Sequence, residues 1–324
     1  MLSAVATLPL FAVPVSAEIF ILPQDDSVVG VFGTVEATYE DTLTDIARRF
    51  GVGYEEIVRA NPDVDPWLPG EGTSVSLPTQ FIVPRASRGG LVVNIAEYRM
   101  YYFWRDGDYA TVATFPISIG RMDWSTPLGR SAIVSKVRQP TWYPPVSVRE
   151  EYEAEGRTLA RSIPPGPDNP LGEYAMRLSI PGYLIHGTNR PAGVGMRVTH
   201  GCIRMYPEDI EWLFPKTAVP TAVQLVNQPY KLGWLGDGLF LEVHPPLQGD
   251  EDHPARGLTA ITELYVRATR SRAAQVDWGL IDEVFRRRDG IPVRVGTRVL
   301  EAAADAQASL DHLAGEVDAS LDGP

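Results

Sequence analysis

The chain has 324 residues, of which 44% are hydrophobic and 22% are charged, and its formal net charge at pH 7 is −12. This length exceeds one average domain, so two or three folded units are expected. A chain this acidic repels nucleic acid and anionic lipid headgroups, which argues against DNA or RNA as a partner. Gly and Pro contribute 29 and 28 residues, which favours β structure and loops over long helices.

The first segment, Met1 to Ala17, is apolar and uncharged and ends in Val15-Ser16-Ala17, a small-residue pattern suited to signal peptidase. It predicts a signal peptide over residues 1–17 and an exported, periplasmic protein, although the positive charges that usually begin such signals are missing. A buried N-terminal strand is the alternative. The segment is too short for a comfortable membrane span and no other stretch approaches one, so no transmembrane anchor is expected after cleavage.

Residues 33–84 carry a β-α-α-β pattern. Two short helices are predicted, Thr42 to Val52 and Tyr54 to Ala60, the second ended by Asn61-Pro62. Short strands are expected at Gly33 to Ala37 and at Ser74 to Leu77.

This pattern resembles the LysM domain, a small module that binds glycans containing N-acetylglucosamine. The resemblance rests on Asp41-Thr42-Leu43, Ile46 to Phe50 and Asn61-Pro62, and one position departs from it, because Glu40 stands where the family usually has Gly. It implies a peptidoglycan-binding domain over residues 33–84. A spacer that keeps the shape without the sugar site is the alternative.

Residues 90–227 are predicted to be β-rich. Strands are expected at Leu91 to Ile95, Arg99 to Trp104, Tyr109 to Ile119, Ser131 to Val137, Tyr183 to Ile185 and Ala222 to Val226. Asp106-Gly107 marks a hairpin turn, and Pro207 to Phe214 predicts a short helix. The proline-rich stretch 140–170 holds a polar helical patch, Val148 to Ala160, and its length indicates a lid or a wall of a substrate cleft.

Residues 228–324 change in character. A strand is predicted at Leu239 to Val243, amphipathic helices at Leu258 to Arg270 and Trp278 to Arg288, and a loose helix or disorder at Ala302 to Leu321. No residues with evident chemistry stand out in this region. His244 and His253 lack matching partners and are expected to have no role in a site.

Cys202 is the single cysteine, and a lone thiol in an oxidising compartment is a liability unless it is buried or used. A thiol nucleophile needs a lowered pKa, a nearby imidazole, a group that orients the imidazole, and N–H groups facing the oxyanion. His186 ends an apolar strand 16 residues earlier, so a loop can bring it beside Cys202. Gly201 lets the backbone approach a substrate, the N–H groups of Gly201 and Cys202 can form an oxyanion hole, and Arg204 can hold a carboxylate.

The run Thr199-His200-Gly201-Cys202-Ile203-Arg204, with His186 before it, resembles the L,D-transpeptidase catalytic domain of YkuD type, in particular its ErfK/YbiS-like group. The resemblance covers roughly Gly90 to Asn227 and is supported by Ile119 to Arg121 and Thr126 to Gly129. It implies a mainly β fold of sandwich or barrel type, followed here by a partly helical C-terminal region. The implied roles fall on these residues: Cys202 as nucleophile, His186 as general base, the Gly187 carbonyl as orienting group, His200 and Gly201 shaping the cleft, and Arg204, Thr199, Tyr183 and Asn189 binding substrate.

The resemblance implies an enzyme of peptidoglycan biosynthesis and cell-wall shape, without a metal or organic cofactor. Its cysteine would form a thioester with a tetrapeptide stem and pass the acyl group to an amine. The acceptor amine belongs to another stem peptide or to the lysine of an outer-membrane lipoprotein. The order of the segments favours the lipoprotein. If water were the acceptor instead, the enzyme would be a carboxypeptidase, which is a hydrolase.

Three other interpretations fit the sequence less well. A degenerate, non-catalytic peptidoglycan-binding protein conflicts with the intact His186, His200 and Cys202. A papain-like protease has its Cys before its His, the reverse of the order here. A zinc site of two His and one Cys fits less well than catalysis with a Gly-flanked Cys beside a strand-end His.

Overall fold

The computed structural model of the protein describes residues 18–247 and 257–299. The predicted signal peptide at 1–17, His253 and the stretch 302–321 lie outside the described residues. Within the two described ranges, no helix combines the length and the apolar character that crossing a membrane requires.

The amino-terminal part contains short elements around a small core. They are β1 (Glu18–Ile21), β2 (Val28–Gly30), β3 (Gly33–Glu36), α1 (Leu43–Arg49), α2 (Tyr54–Ala60), β4 (Ser74–Leu77) and β5 (Gln80–Ile82). β3 pairs with β4, and the two helices, which lie between these strands in the sequence, pack against the pair, so the predicted β-α-α-β order is confirmed. α1 begins where it does because Thr42 and Asp45 form a reciprocal capping box, which satisfies two amide groups at the helix start.

The largest sheet closes into a barrel. Its strands are β6 (Gly90–Asn94), β7 (Arg99–Asp106), β8 (Tyr109–Gly120), β9 (Gly129–Arg138), β10 (Tyr174–Leu178), β11 (Leu184–His186), β12 (Arg197–Thr199), β13 (Ile203–Met205) and β14 (Thr221–Val226). The order β8-β13-β11-β10-β9-β14-β6-β7 returns to β8, and β1 and β12 add to β8 at either end. The mainly β fold is therefore confirmed, with one apolar core inside the barrel.

Two helices accompany the barrel, α3 (Val146–Ala154) in the insertion between β9 and β10 and α4 (Pro207–Lys216) before β14. α3 is shorter than the predicted helix to Ala160, because Glu155 ends it and Gly156 follows with φ +73°. Asn169 joins the two ends of the insertion. It is fully buried and donates from Nδ2 to the Pro140 carbonyl at 2.7 Å.

The C-terminal region forms a second sheet with its own core. Its elements are β15 (Tyr230–Leu235), β16 (Gly238–Val243), α5 (Leu258–Ala268), β17 (Ala274–Val276), α6 (Trp278–Arg287) and β18 (Val293–Arg298). The strand order is β15-β16-β18-β17, and both helices pack on it. The predicted strand at 239–243 and both predicted helices are confirmed, which makes the region partly helical.

Several local expectations need correction. The hairpin between β7 and β8 turns at Gly107 and Asp108 rather than at Asp106-Gly107, because Asp106 still pairs with Tyr109. Several strands were not predicted, among them β10, β15 and the three-residue strands β5, β12, β13 and β17. Three residues are too few to show an alternating pattern.

Candidate active site

Two adjacent parallel strands carry the candidate catalytic residues. β11 pairs with β13 so that Ile185 lies opposite Ile203 and His186 opposite Arg204. Both isoleucines face the barrel core. Because side chains alternate between faces, Cys202, which directly precedes β13, lies on the same face as Arg204 and His186. The strand-end histidine and the cysteine are thus diagonal neighbours on the face away from the core.

His186 is held in a defined tautomer. Its Nδ1 lies 2.7 Å from the Gly187 carbonyl oxygen, which can only accept, so Nδ1 carries the proton and Nε2 keeps its lone pair. Burial, with a further contribution from the Arg204 charge, lowers the pKa of His186 to about 3. The imidazole is therefore neutral at physiological pH, and its free nitrogen can accept a proton.

Cys202 is predominantly a thiol in this arrangement. Burial raises the pKa of Cys202, and a backbone hydrogen bond at Leu184 and the Arg204 charge only partly oppose this effect. Its Sγ lies 3.7 Å from the Gly182 carbonyl oxygen. The sequence led us to expect a lowered thiol pKa, and this expectation is wrong because burial disfavours the charged thiolate. The neutral His186 adds no positive charge that would offset this effect.

The turn that presents the cysteine is held from both sides. Thr199 donates from its hydroxyl to the Cys202 carbonyl at 2.6 Å, and Thr126 donates to the Gly201 carbonyl at 2.9 Å. Gly201 has φ +96°, and a Cβ there would lie 2.9 Å from the Tyr183 ring. Thr199 is buried and shapes this turn, and its contact with substrate stays a prediction. Thr126 was recognised only as part of a motif, without a role of its own.

Arg204 lies over the same face. Its side chain is largely buried, and within the described residues its Nε has no hydrogen-bond partner. Burial and the charge of nearby Arg190 lower the pKa of Arg204, which remains far above neutrality. An unpartnered guanidinium donor beside a nucleophile is suited to holding a carboxylate.

His200 faces the insertion between β9 and β10. Its Nε2 lies 2.9 Å from Oε2 of Glu151 on α3, so this nitrogen carries a proton that Glu151 accepts. The Trp124 ring meets the His200 ring edge-on at 5.3 Å. His200 is thereby fixed beside the turn, while its Nε2 is directed away from a base role.

Two further candidates are tied to neighbouring loops. Tyr183 donates from its hydroxyl to the Ser125 carbonyl at 3.3 Å, and Asn189 donates from Nδ2 to the Pro167 carbonyl at 3.0 Å. Both therefore connect the site to its surrounding walls. Their binding of substrate stays a prediction.

The loop between His186 and Cys202 rests on the amino-terminal helices. Tyr54 donates its backbone N–H to the Val194 carbonyl at 3.1 Å, and Glu55 donates to the Gly195 carbonyl at 3.3 Å. Gly195 has φ +89°, and a Cβ there would lie 2.3 Å from the Tyr54 nitrogen. The sequence did not predict this contact, because it consists of hydrogen bonds between backbone atoms, which require no particular side chains.

A second cluster of charged residues is buried away from the cysteine. Glu97, Glu242 and His244 place their polar atoms within 4.8 Å of one another, and Lys231 Nζ lies 2.7 Å from Glu242 Oε1 and also contacts Glu97. His244 Nε2 lies 2.6 Å from Glu242 Oε1, and burial lowers the pKa of His244 to about 3. The expectation that His244 lacks partners and that the C-terminal region lacks chemistry-bearing residues is therefore wrong.

Comparison with known proteins identifies the family. The L,D-transpeptidase catalytic domain (YkuD) matches residues 88–225, and the LysM domain matches residues 38–66. The chain belongs to the L,D-transpeptidase family and is an L,D-transpeptidase with an amino-terminal LysM domain.

Its relatives cover most of its length. It is 37% identical to Probable L,D-transpeptidase ErfK/SrfK of Salmonella typhimurium over 278 residues, 84% of this chain and 89% of that protein. It is 37% identical to Probable L,D-transpeptidase YbiS of Escherichia coli over 291 residues, 88% and 94% of the two chains. Probable L,D-transpeptidase YcfS of Escherichia coli is 39% identical over 259 residues, 78% of this chain and 80% of that one.

Proposed function

We propose that this L,D-transpeptidase acts in the periplasm, where Cys202 forms a thioester with a peptidoglycan tetrapeptide stem and transfers the acyl group to an amine. The observation that carries the proposal is the placement of His186 and Cys202 on one face of adjacent strands, with the imidazole oriented by the Gly187 carbonyl. This supplies a nucleophile, a base and an orienting group in one site.

The acylation step follows from the protonation states. Cys202 begins as a thiol and His186 as a neutral imidazole, so the proton moves from Sγ to Nε2 as sulfur attacks the carbonyl carbon. The N–H groups of Gly201 and Cys202 stabilise the oxyanion. When the tetrahedral intermediate collapses, the C–N bond breaks, the terminal D-Ala leaves as an amine, and the imidazolium returns its proton to that amine.

The thioester is then resolved by an acceptor amine. Its nitrogen attacks the thioester carbon, its proton passes to His186, and Cys202 leaves as a thiolate that is reprotonated. Arg204, with its unpartnered Nε beside the cysteine, holds a carboxylate of the stem peptide. The amine belongs to another stem peptide or to a lipoprotein lysine, and attack by water instead would release a tripeptide.

The LysM domain supplies an attachment to glycan. Among its exposed residues, Tyr39, Trp67 and Leu68 are 84%, 57% and 80% exposed and belong to loops joined by a hydrogen bond from Leu43 N–H to the Pro66 carbonyl. Exposed aromatic and apolar side chains at one end of a small domain suit stacking against sugar rings. Trp67→Ala should weaken sedimentation with purified sacculi, whereas Tyr109→Ala, an exposed aromatic on the catalytic barrel, should leave it unchanged.

Muropeptide analysis tests the proposal. Sacculi from cells that express the wild-type chain should gain stem-to-stem cross-links, lipoprotein-linked muropeptides or tripeptides, each of which has its own mass and identifies the acceptor. Cys202→Ala should abolish the gain. In parallel, incubation with a carbapenem should add the mass of one drug molecule at Cys202. If the alanine variant still forms the products, the thioester mechanism is wrong.

A further inference from the structure

One carboxylate of the insertion between β9 and β10 contacts two side chains at the active-site rim. Glu151 on α3 places Oε2 2.9 Å from His200 Nε2, and its Oε1 accepts a hydrogen bond from Arg121 Nη2. These two contacts lower the pKa of Glu151, so the carboxylate is ionised. One side chain of the insertion thus bridges two donors of the barrel.

Both donors are fixed next to the nucleophile. Arg121 directly follows β8, and its backbone N–H donates to the Thr199 carbonyl at 3.0 Å. His200 stands two residues before Cys202 and packs against Trp124. The two donors therefore belong to the rim of the cleft, whereas the carboxylate that they hold belongs to the insertion.

The bridge is open to exchange with solvent. The side chains of Arg121, His200 and Glu151 are 37%, 31% and 26% exposed. Glu151 uses Nη2 of Arg121, while the Nε of the same guanidinium has no partner within the described residues. An arginine fork binds a carboxylate best through two parallel N–H groups, so Glu151 leaves part of the recognition capacity unused.

We propose that Arg121 and His200 form a carboxylate-binding site for the peptide donor, and that Glu151 occupies this site when no donor is bound. The inference rests on the proposed function for its ligand, because a peptidoglycan stem peptide carries free carboxylates. A donor carboxylate presents the same functional group as Glu151 and can in addition engage Nε of Arg121. Donor binding therefore releases α3 from the rim and exchanges one carboxylate for another, without a covalent step.

The test measures donor binding and turnover separately. Binding of a soluble tetrapeptide is measured by calorimetry in the Cys202→Ala background, and kcat and KM are measured in the otherwise unchanged enzyme. Glu151→Gln removes the competing charge with little change in shape, and Glu150→Gln makes the same charge change at the neighbouring, exposed position of α3. A series of donors with one carboxylate amidated at a time identifies the group that enters the site.

Glu151→Gln should tighten donor binding and lower KM by about fivefold to tenfold, because the binding-competent fraction rises, while kcat stays within about twofold. Glu150→Gln should change neither. Arg121→Gln should weaken binding by about tenfold or more. For one amidated donor, the gain from Glu151→Gln and the loss from Arg121→Gln should both disappear.

Other outcomes overturn the proposal. If Glu151→Gln lowers kcat and leaves donor affinity unchanged, Glu151 positions His200 and does not compete with the donor carboxylate. If all amidated donors respond as the free acid does, the site binds no donor carboxylate. Binding in the Cys202→Ala background is independent of turnover, so failure of the transpeptidase mechanism is distinguishable from failure of this site.

Discussion

Arg99 of the barrel and Glu56 of the LysM domain form an ion pair that is sealed from solvent. Arg99 Nε lies 2.7 Å from Glu56 Oε1, and Nη2 lies 2.8 Å from Oε2, in a two-point contact. Arg99 is fully buried and also donates to Thr114 and to the Gly51 carbonyl. Although burial lowers the pKa of Arg99, the Glu56 carboxylate outweighs it and raises this pKa above its ordinary value.

Breaking this pair should cost much stability. Glu56→Gln or Arg99→Met should each lower the free energy of unfolding by about 3–5 kcal/mol, because the remaining charge stays buried without its partner. Arg99→Met combined with Glu56→Leu should recover most of the loss. Urea unfolding measures all three variants. Arg59→Met, which breaks the more exposed pair with Glu55, is the matched control and should cost less than about 1 kcal/mol.

Gly195 should resist substitution for a steric reason. An alanine Cβ would overlap the Tyr54 nitrogen at 2.3 Å, so Gly195→Ala should separate the LysM domain from the loop between His186 and Cys202. We expect a loss of about 1–3 kcal/mol and slower carbapenem acylation of Cys202. Gly51→Ala is the control, because Gly51 also has positive φ but has open space around it. Equal losses in the two variants would mean that backbone strain alone accounts for the effect.

The pH dependence of Cys202 reactivity should follow its raised pKa. The thiolate fraction is lower than for an ordinary cysteine, so the rate of alkylation by iodoacetamide should keep rising with pH through pH 9 and show no plateau near neutrality. Arg204→Gln removes a charge that lowers the pKa of Cys202 and should slow alkylation further at pH 8. A plateau near pH 7 in the wild type would instead indicate a resting thiolate–imidazolium pair.

Lys231 should be needed most at high pH. Burial raises the pKa values of Glu97 and Glu242, and the Lys231 ammonium opposes this. Lys231→Met should raise both pKa values further. When the folded-state pKa of a carboxyl group is raised, the free energy of unfolding of the protein decreases as pH increases through that pKa. The loss of unfolding free energy should therefore be larger at pH 8 than at pH 5. Lys216→Met, at an exposed lysine, should show no such trend.

The sequence predicted most of the helices and strands and the pairing of His186 with Cys202, because each of these produces a recognisable local pattern in the sequence. Apolar periodicity and the Asn61-Pro62 stop signal located α1 and α2, and the Gly-flanked Cys202 with His186 indicated the candidate site. The bridge from Glu151 could not be predicted, since one acidic residue on a polar helix carries no sign of its distant partners. The raised pKa of Cys202 was missed for a related reason, because burial depends on the packing of the whole barrel.

The LysM domain is joined to the barrel at both of its ends. β1 precedes it and pairs with β8, the β2–β5 ladder brings its entry and exit together, and β6 follows within the barrel. With Arg99 and Gly195 holding its helices, its orientation is set by the fold and not by a linker. If a glycan strand binds at Trp67 as proposed, it can present to Cys202 only those stems that lie at one fixed distance along the strand, so the spacing between the two sites would select which stems react.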